Sequence, residues 1–175
     1  MKKIMFSDAF CLTQAVLDGS KTMTRRLLKD NVPLGNWEET KKHLPYKVGE
    51  VVAIAQRYKE VYPNADFEMI GDGFMTESAG WNNKMFVRAN LMKRHIRITD
   101  VKVEYLQDIS DDDILREGVW QMGELFYVSK AVGEAPEVAF LTAREAFWYL
   151  IDKISGKGTW ESNPLMAAYS FELVD

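Results

Sequence analysis

The feature that most constrains this chain is a ten-residue turn at positions 17–26, with the sequence LDGSKTMTRR. An apolar, helix-like segment comes before the turn, and a lysine, three hydroxyl side chains and two arginines follow Gly19. Glycine at this position is typical of a helix that ends with a residue of positive φ. The sequence therefore predicts that the chain leaves a helix, turns and enters a basic segment, which we expect to form one wall of a functional site.

The residues before this turn predict a short strand over 3–6 and a helix over 8–18. Ser7 is a favourable N-cap residue, and Asp8 lies where the helix dipole favours an acidic side chain. The single cysteine, Cys11, excludes an internal disulfide and is expected to pack in the core as part of this helix. The helical spacing predicts a buried face formed by Ala9, Leu12, Ala15 and Val16.

The middle of the chain alternates between irregular and strongly apolar segments. Residues 30–44 have no steady period and predict a surface loop. Residues 51–56 are almost wholly apolar, as in a strand that is buried on both faces. Residues 62–84 are rich in Gly, Asn and Asp and predict an excursion, with a hairpin as one form that it can take. Residues 85–89 are a further candidate strand.

A long β signal covers residues 95–106, and its alternation changes phase. Ile98 belongs to one alternating set of apolar residues and Val101 to the opposite set. A β-bulge or tight bend near Thr99–Asp100 would restore the register, so we expect one there.

Two helices are predicted by their capping residues. Ser110 opens a short acidic helix that Gly118 ends. Thr142 and Glu145 have the spacing of a full capping box before a longer helix that Gly156 ends. The buried stripe of the longer helix is predicted to be Phe147, Leu150, Ile151 and Ile154.

The remaining segments complete a mixed order of elements. Residues 120–141 predict an inserted hairpin or loop with strands at 126–128 and 138–141, and residues 168–174 predict a closing strand. Because strands and helices do not alternate regularly, the order predicts an α+β fold, with a small, mostly antiparallel sheet or barrel and helices at its mouth.

Composition limits the classes of partner. The chain of 175 residues has 22 basic and 26 acidic side chains and a net charge of -4, so overall charge does not favour a nucleic-acid backbone. Neither a charged and apolar leader nor a bilayer-length apolar run is found in the sequence. We therefore expect a cytoplasmic protein with no membrane partner, and the length favours one domain over residues 1–175.

Residues 19–26 resemble the Gly-x-Lys-x-x-(Thr or Glu)-x-Arg signature of the ASCH domain, a member of the PUA-like superfamily of small β-barrels. Residues 47–51 resemble the Gly-Asp/Glu turn that leads into a barrel strand of that family. Residues 98–117 are similar to ASCH proteins of phages and prophage regions. The resemblance implies a PUA-like mixed β-barrel with peripheral helices, covering the whole chain as one ASCH domain.

Relative to that family the chain is long, with insertions near 60–84 and 120–141. PUA-like domains usually bind RNA or modified bases, so the resemblance implies RNA, a nucleoside or a modified base as partner. One branch is an amidohydrolase that removes an acetyl group from the exocyclic nitrogen of cytidine with a lysine, a threonine and a glutamate. These residues match Lys21, Thr24 and Glu117.

The chemistry of the turn depends on its shape. In an extended strand Lys21 and Thr24 would point to opposite faces, so they can cooperate only if the segment is turned or bulged. A lysine acts as a base only if burial or nearby cations, such as Arg25 and Arg26, lower its pKa. Glu117 lies at a helix end that disfavours acids and needs a partner, for which Lys21 or Arg26 is available. The alternative is a solvated basic turn.

Further ligand contacts are predicted beside the turn. Arg94 and Arg97 belong to a basic cluster that would form a phosphate-binding rim if it faced the same site as Arg25 and Arg26, and a solvated edge strand is the alternative. Trp120 follows Glu117 closely and is a candidate for stacking on a base, with ordinary burial as the default. The two histidines lack metal-ligand spacing, so no metal and no cofactor are expected.

Three functions follow from these residues. The first is binding of RNA or a nucleoside in a cleft built from Lys21, Thr24, Arg26 and Glu117. The second is hydrolysis of an N4-acylcytidine with Thr24 as nucleophile, Lys21 as base and Glu117 orienting Lys21. The third is a phage or prophage protein-interaction module in which the two insertions carry the function.

Overall fold

The structure, a computed structural model, describes residues 1–131 and 138–175. Part of the predicted insertion at 120–141 therefore lies outside the described residues. The strands are β1 (Lys3–Ile4), β2 (Met23–Leu27), β3 (Val51–Ile54), β4 (Met69–Ile70), β5 (Gly73–Phe74), β6 (His95–Tyr105), β7 (Trp120–Met122), β8 (Leu125–Val128), β9 (Val138–Phe140) and β10 (Leu165–Leu173). The α-helices are α1 (Leu12–Leu17), α2 (Trp37–His43), α3 (Tyr58–Val61), α4 (Asp111–Arg116), α5 (Ala143–Ser155) and α6 (Thr159–Ser162).

The central sheet has the strand order β1-β3-β6-β10-β2. β1 pairs with β3 in parallel, and the other three pairings are antiparallel. The prediction of an α+β fold with a mostly antiparallel sheet is confirmed. Among the described residues no ladder joins β1 to β2, so the strands do not close into a barrel, and that part of the prediction is wrong. Among the described strands β2 pairs with β10 alone, so it is an edge strand.

The predicted bulge is confirmed at Thr99. On β10, Ser170 pairs with Asp100 and Phe171 pairs with Ile98, so Thr99 has no partner in the ladder. The extra residue puts the two apolar sets of β6 on the same face of the sheet. That face packs into the main core, whose β6 members are Ile96, Ile98 and Val101.

The first helix begins later than its periodicity suggests. Residues 8–11 form turns, and Cys11 precedes α1 with φ 55 and ψ 22, a left-handed conformation. The predicted cap at Ser7 is wrong. The Asp8 carboxylate accepts hydrogen bonds from the Thr13 hydroxyl at 2.6 Å and from Lys84 at 2.7 Å.

Two further predictions are corrected by local hydrogen bonding. The segment 30–44 contains α2 although its apolar periodicity is weak. The helix is stabilised at its start by the N-cap Asn36, whose side chain accepts a hydrogen bond from the Glu38 amide at 2.9 Å. Residues 85–89 form no strand: 3₁₀ helices cover Lys84–Phe86 and Ala89–Leu91.

The helices α4 and α5 begin at the capping residues that the sequence predicts. The hydroxyls of Ser110 and Thr142 accept from the backbone three residues further on, as predicted for α4 and α5. Phe147, Leu150 and Ile151 are buried, but Ile154 is 43% exposed, so the predicted stripe is one residue too long.

Both predicted insertions contain strands. The segment 62–84 holds the β4–β5 hairpin, and the second segment forms a three-stranded sheet of β7, β8 and β9. A separate apolar cluster around Tyr58 and Met75 supports the first segment. Within residues 1–131 and 138–175, every helix lacks the length or the hydrophobicity needed to cross a membrane.

The cap of α4 is testable because this helix places Glu117 at its end. We expect Ser110→Ala to destabilise the protein by about 1 kcal/mol, since the Asp113 amide loses its acceptor. Ser110→Gly should cost only about a few tenths of a kcal/mol, because glycine suits the extended cap backbone. Urea denaturation of the two variants measures the difference. No loss of stability in Ser110→Ala would show that the hydroxyl contributes nothing.

Candidate functional site

The site forms where the turn after α1 meets the end of α4. Gly19 has φ +83, as its position predicts, and the Lys21 amide then donates to the carbonyl of Ala15 at 2.9 Å. The Thr22 amide donates to the carbonyl of Arg116 at 3.0 Å. These bonds fix Lys21 in a turn just before β2 and hold it against α4.

The Lys21 ammonium is buried, with 2% of its side chain exposed. It donates to the carbonyls of Met23 at 2.6 Å and Glu117 at 2.7 Å, and to the Oε2 of Glu117 at 3.1 Å. Burial lowers the pKa of Lys21 below its ordinary value, although the Glu117 carboxylate opposes this effect. Lys21 is therefore a fully bonded cation that loses its proton more easily than an exposed lysine.

Glu117 caps the C-terminal end of α4 and is also buried. Besides Lys21 it has a second cationic partner, because Arg25 Nη1 donates to its Oε1 at 2.8 Å. The expectation that this acid needs a partner is confirmed for Lys21. The second partner is Arg25 rather than Arg26. Two cations offset the unfavourable position of a carboxylate at a helix C-terminus.

Arg25 connects Glu117 to two other carboxylates. Its Nη2 contacts Glu104 on β6 and, at 3.4 Å, Asp113 on α4. Lys102 also contacts Asp113, at 2.9 Å. Burial alone would lower the pKa of Arg25, but Glu117 and Glu104 outweigh it and raise that pKa. Similarly, burial would raise the pKa of Asp113, but Lys102 and Arg25 lower it. The network therefore stabilises the charged forms of Arg25 and Asp113.

A cavity of about 280 Å³ opens beside this network, and we call it the Lys21 cavity. Lys21, Thr24, Arg26 and Glu117 all line it, so the structure brings together the residues that the sequence singles out. Lys21 and Thr24 line the same cavity because Lys21 lies in the turn and not in the strand, which begins at Met23. The apolar wall is formed by Phe6, Leu12, Phe147, Leu150 and Ile151.

Arg26 lines the Lys21 cavity and connects β2 to the residue that follows β1. Its Nη2 donates to the carbonyl of Met5 at 2.6 Å, and its guanidinium lies 5.8 Å from the centre of the Phe6 ring. Its Nε is buried without a hydrogen-bond partner in the described part of the chain, as is the hydroxyl of Tyr169. Burial raises the pKa of Tyr169 to about 12. Arg26 thus has one buried donor without a partner among the described residues.

Three predicted ligand contacts lie away from the Lys21 cavity. Trp120 lines a different cavity. Arg94 Nε donates to the backbone carbonyl of Asp175 at 2.5 Å, and Arg97 pairs with Glu172 on β10 at 3.2 Å. None of the three is part of the cavity lining, and their roles in binding stay predictions.

The sequence did not indicate the role of Arg25 as the centre of the ion network. A partial signal was present, because Lys102 and Glu104 are two residues apart on β6 and therefore share a face. The register places Ala168 of β10 opposite both Arg25 and Lys102, which puts all three on that face. Over the described ranges, no three His, Cys, Asp or Glu side chains converge as a group suited to a metal ion.

Comparison with known proteins gives limited information. No family model and no curated protein matches this chain. A protein of family DUF984 from Enterococcus faecalis is 15% identical, with a TM-score of 0.47, over 100% of this chain and 81% of that chain. An ASCH domain from Lactobacillus crispatus is 14% identical, with a TM-score of 0.39, over 93% of this chain and 69% of that chain. Similarity this low does not establish a family, so the ASCH and phage assignments stay predictions and the functional case depends on the site.

The buried ion network predicts a large cost for removing its central acid. We expect Glu117→Ala to destabilise the protein by about 3–5 kcal/mol, because it leaves Lys21 and Arg25 buried beside an empty space. The matched control is Glu172→Ala, which removes an exposed partner of Arg97 and should cost about 0–1 kcal/mol. Denaturant unfolding checks both values. Similar losses in the two variants would contradict the dominance of the buried network.

Gly118 provides a second test, because it lies between α4 and β7 at a position with no room for a side chain. Its φ is +111, and an added Cβ would lie 2.6 Å from Leu12 Cδ2. Gly156 has nearly the same φ, +110, but a Cβ there would meet its nearest atom only at 4.0 Å.

We expect Gly118→Ala to destabilise the protein by about 1–3 kcal/mol more than Gly156→Ala, since only the former adds a steric clash to the backbone strain. Thermal and denaturant unfolding of both variants measure the difference. If the two substitutions cost the same, the contact with Leu12 is not restrictive.

Proposed function

We propose that the Lys21 cavity binds a nucleobase or nucleoside, free or presented by single-stranded RNA. The observation that carries this proposal is the placement of a hydroxyl, a buried ion pair and an arginine donor around one small cavity with an apolar wall. Ligand sites typically combine an apolar lining with a few fixed polar groups. A volume of about 280 Å³ suits a small ligand, such as one base or nucleoside, rather than a duplex.

The polar groups match the edge of a base. Thr24 offers a hydroxyl that can donate and accept, and the guanidinium of Arg26 lines the cavity as a donor group. Glu117 is an acceptor whose position is fixed by Lys21 and Arg25. Because these groups are held in place before a ligand arrives, binding loses little side-chain entropy. Phe6 and Phe147 supply apolar surface for the ring.

Hydrolysis of an N4-acylcytidine is the second candidate, and the lowered pKa of Lys21 favours it. In this reaction neutral Lys21 would take the Thr24 proton as Thr24 Oγ attacks the amide carbon. The C–N bond then breaks, the proton passes to the cytidine nitrogen, and the acyl group stays on Thr24. Water hydrolyses the resulting ester, which restores the threonine and releases the carboxylic acid. Glu117 positions Lys21 throughout.

Thr24 variants test the binding proposal. We expect calorimetry to detect binding of cytidine or N4-acetylcytidine by the wild type. Thr24→Val removes the hydroxyl with little change of shape and should weaken binding by about 0.5–1.5 kcal/mol. Thr24→Ser should restore it, and Thr99→Val, at an exposed strand position, should have no effect. Absence of binding by the wild type, or equal binding by Thr24→Val, would contradict the proposal.

Incubation with N4-acetylcytidine separates binding from hydrolysis. An amidohydrolase should release cytidine at a rate that rises with pH as Lys21 loses its proton, and Thr24→Val should lower this rate by at least about 1,000-fold. Lys21→Arg keeps the positive charge without a usable base, so it should abolish release and spare binding. Binding without release would leave nucleoside recognition alone. Failure of both would favour the third function, a protein-interaction module carried by the insertions.

A further inference from the structure

A second cavity, larger than the first, lies between α1, the end of α4 and the sheet of β7 and β8. Its volume is about 510 Å³, and we call it the Trp120 cavity. Phe10, Leu115 and Val119 contribute apolar surface, and Gln14 and Gln121 contribute amide groups. Leu12 and Gly118 meet between the two cavities, since Leu12 lines only the first and Gly118 lines only the second. The two cavities are therefore separate sites.

The Trp120 indole is a fixed platform. Tyr127 stacks on it with a centroid distance of 4.4 Å and an interplanar angle of 16°. The indole Nε1 donates to the hydroxyl of Ser129 at 2.9 Å, so the ring cannot rotate without losing this bond. Tyr127 covers one face of the indole and does not line the cavity, which Trp120 and Ser129 do. An aromatic ring held in this way is suited to stacking on a planar ligand.

The charge of the lining excludes phosphate as the main point of recognition. Asp18 is the one ionic side chain among the described residues that line the Trp120 cavity. Its Oδ1 accepts from both the amide and the hydroxyl of Ser20, at 2.9 Å and 2.6 Å. A second carboxylate oxygen remains to accept from a ligand. An acidic lining without a cation favours a neutral ligand that carries hydrogen-bond donors.

The amide groups indicate which neutral ring fits best. Gln14 is on α1 and Gln121 is on β7, so they approach the cavity from two elements. Gln121 Nε2 donates to the carbonyl of Gly123 at 3.2 Å, which leaves its amide oxygen available to accept. A glutamine amide can donate to N7 and accept from the N6 amino group of adenine at the same time. Asp18 is a further acceptor for an exocyclic amino group.

The walls of the cavity are fixed to each other. Cys11, which has the left-handed backbone noted above, donates its thiol to the carbonyl of Lys130 at 3.2 Å. The Ala131 amide donates to the carbonyl of Ala9 at 3.1 Å. These two bonds join the turn before α1 to the segment after β8, so the insertion that carries the platform is anchored to the helix opposite. A non-glycine residue held in this conformation is strained, as is common beside ligand sites.

We propose that the Trp120 cavity is a second binding site, for an adenine-type purine ring stacked on Trp120 and recognised by glutamine amides. The ring is the recognised group, and the ribose or any phosphate lies outside the acidic lining. This site goes beyond the proposed function of the Lys21 cavity and does not depend on it.

Adenosine is the probe, and the measurement is calorimetry together with NMR of the tryptophan indole N–H signals. We expect saturable binding that shifts the Trp120 signal. Trp120→Leu should weaken binding by about 5- to 150-fold, the range for loss of one base–aromatic stack. Trp120→Phe should retain part of the affinity, because it keeps an aromatic surface. The matched control is Trp148→Leu, which removes another indole stacked on an aromatic ring, that of Trp160, outside the cavity.

Two further comparisons test the class of ligand. Adenosine monophosphate should bind no more tightly than adenosine, and the affinity for adenosine should not change between about 50 and 200 mM salt, because no cation contacts the ligand. Gln14→Glu should weaken binding, since a carboxylate cannot donate to N7. The shift of the Trp120 signal with adenosine should be the same in Thr24→Val as in the wild type, which separates this site from the Lys21 cavity.

The proposal is overturned by any of three results: no saturable adenosine binding by the folded wild type, equal binding by Trp120→Leu and the wild type, or tighter and salt-dependent binding of the monophosphate. Loss of the adenosine-dependent Trp120 shift on Thr24→Val would also overturn it, because the shift would then depend on a ligand in the Lys21 cavity. Unfolding curves for each variant show that the fold is retained.

Discussion

The contact between Arg25 and Glu117 is the interaction on which the site depends. It brings the edge strand of the sheet to the end of α4 and gives the Glu117 carboxylate a second cation, at 2.8 Å. Removing either partner would leave the other buried without its counter-ion, which is far more costly than losing a surface ion pair. The network therefore fixes Lys21 in a single arrangement, and it does so at the wall of a cavity where a ligand can use it.

The backbone makes this arrangement possible through positions where the chain departs from regular structure. Gly19 turns the chain between α1 and β2, and Gly118 turns it after α4. The bulge at Thr99 keeps one face of β6 apolar, so that the core is continuous on that side. The opposite face then carries Lys102 and Glu104 toward Arg25. A regular strand would have placed the two apolar sets on opposite faces and broken either the core or the network.

The two cavities illustrate two ways of recognising a ligand. The Lys21 cavity has buried charges on one side and apolar rings on the other, which suits a small ligand with a polar edge. The Trp120 cavity has an aromatic platform, amides and a single acid, which suits a neutral ring. The contact of Leu12 with Gly118 separates them. The segment that follows α4 therefore lines both cavities: Glu117 lines the first, and Gly118 and Trp120 line the second.

The sequence by itself determined the α+β class, the glycine turn before Lys21, the caps of α4 and α5 and the bulge in β6. These depend on local signals, namely capping side chains, alternation and a glycine turn, that neighbouring residues fix. Only the tertiary structure decided that Arg25 joins three carboxylates, that the sheet stays open beside β2, and that Trp120 belongs to a separate cavity. Each of these depends on strand register and on contacts between segments far apart in the chain, for which one sequence carries no local signal.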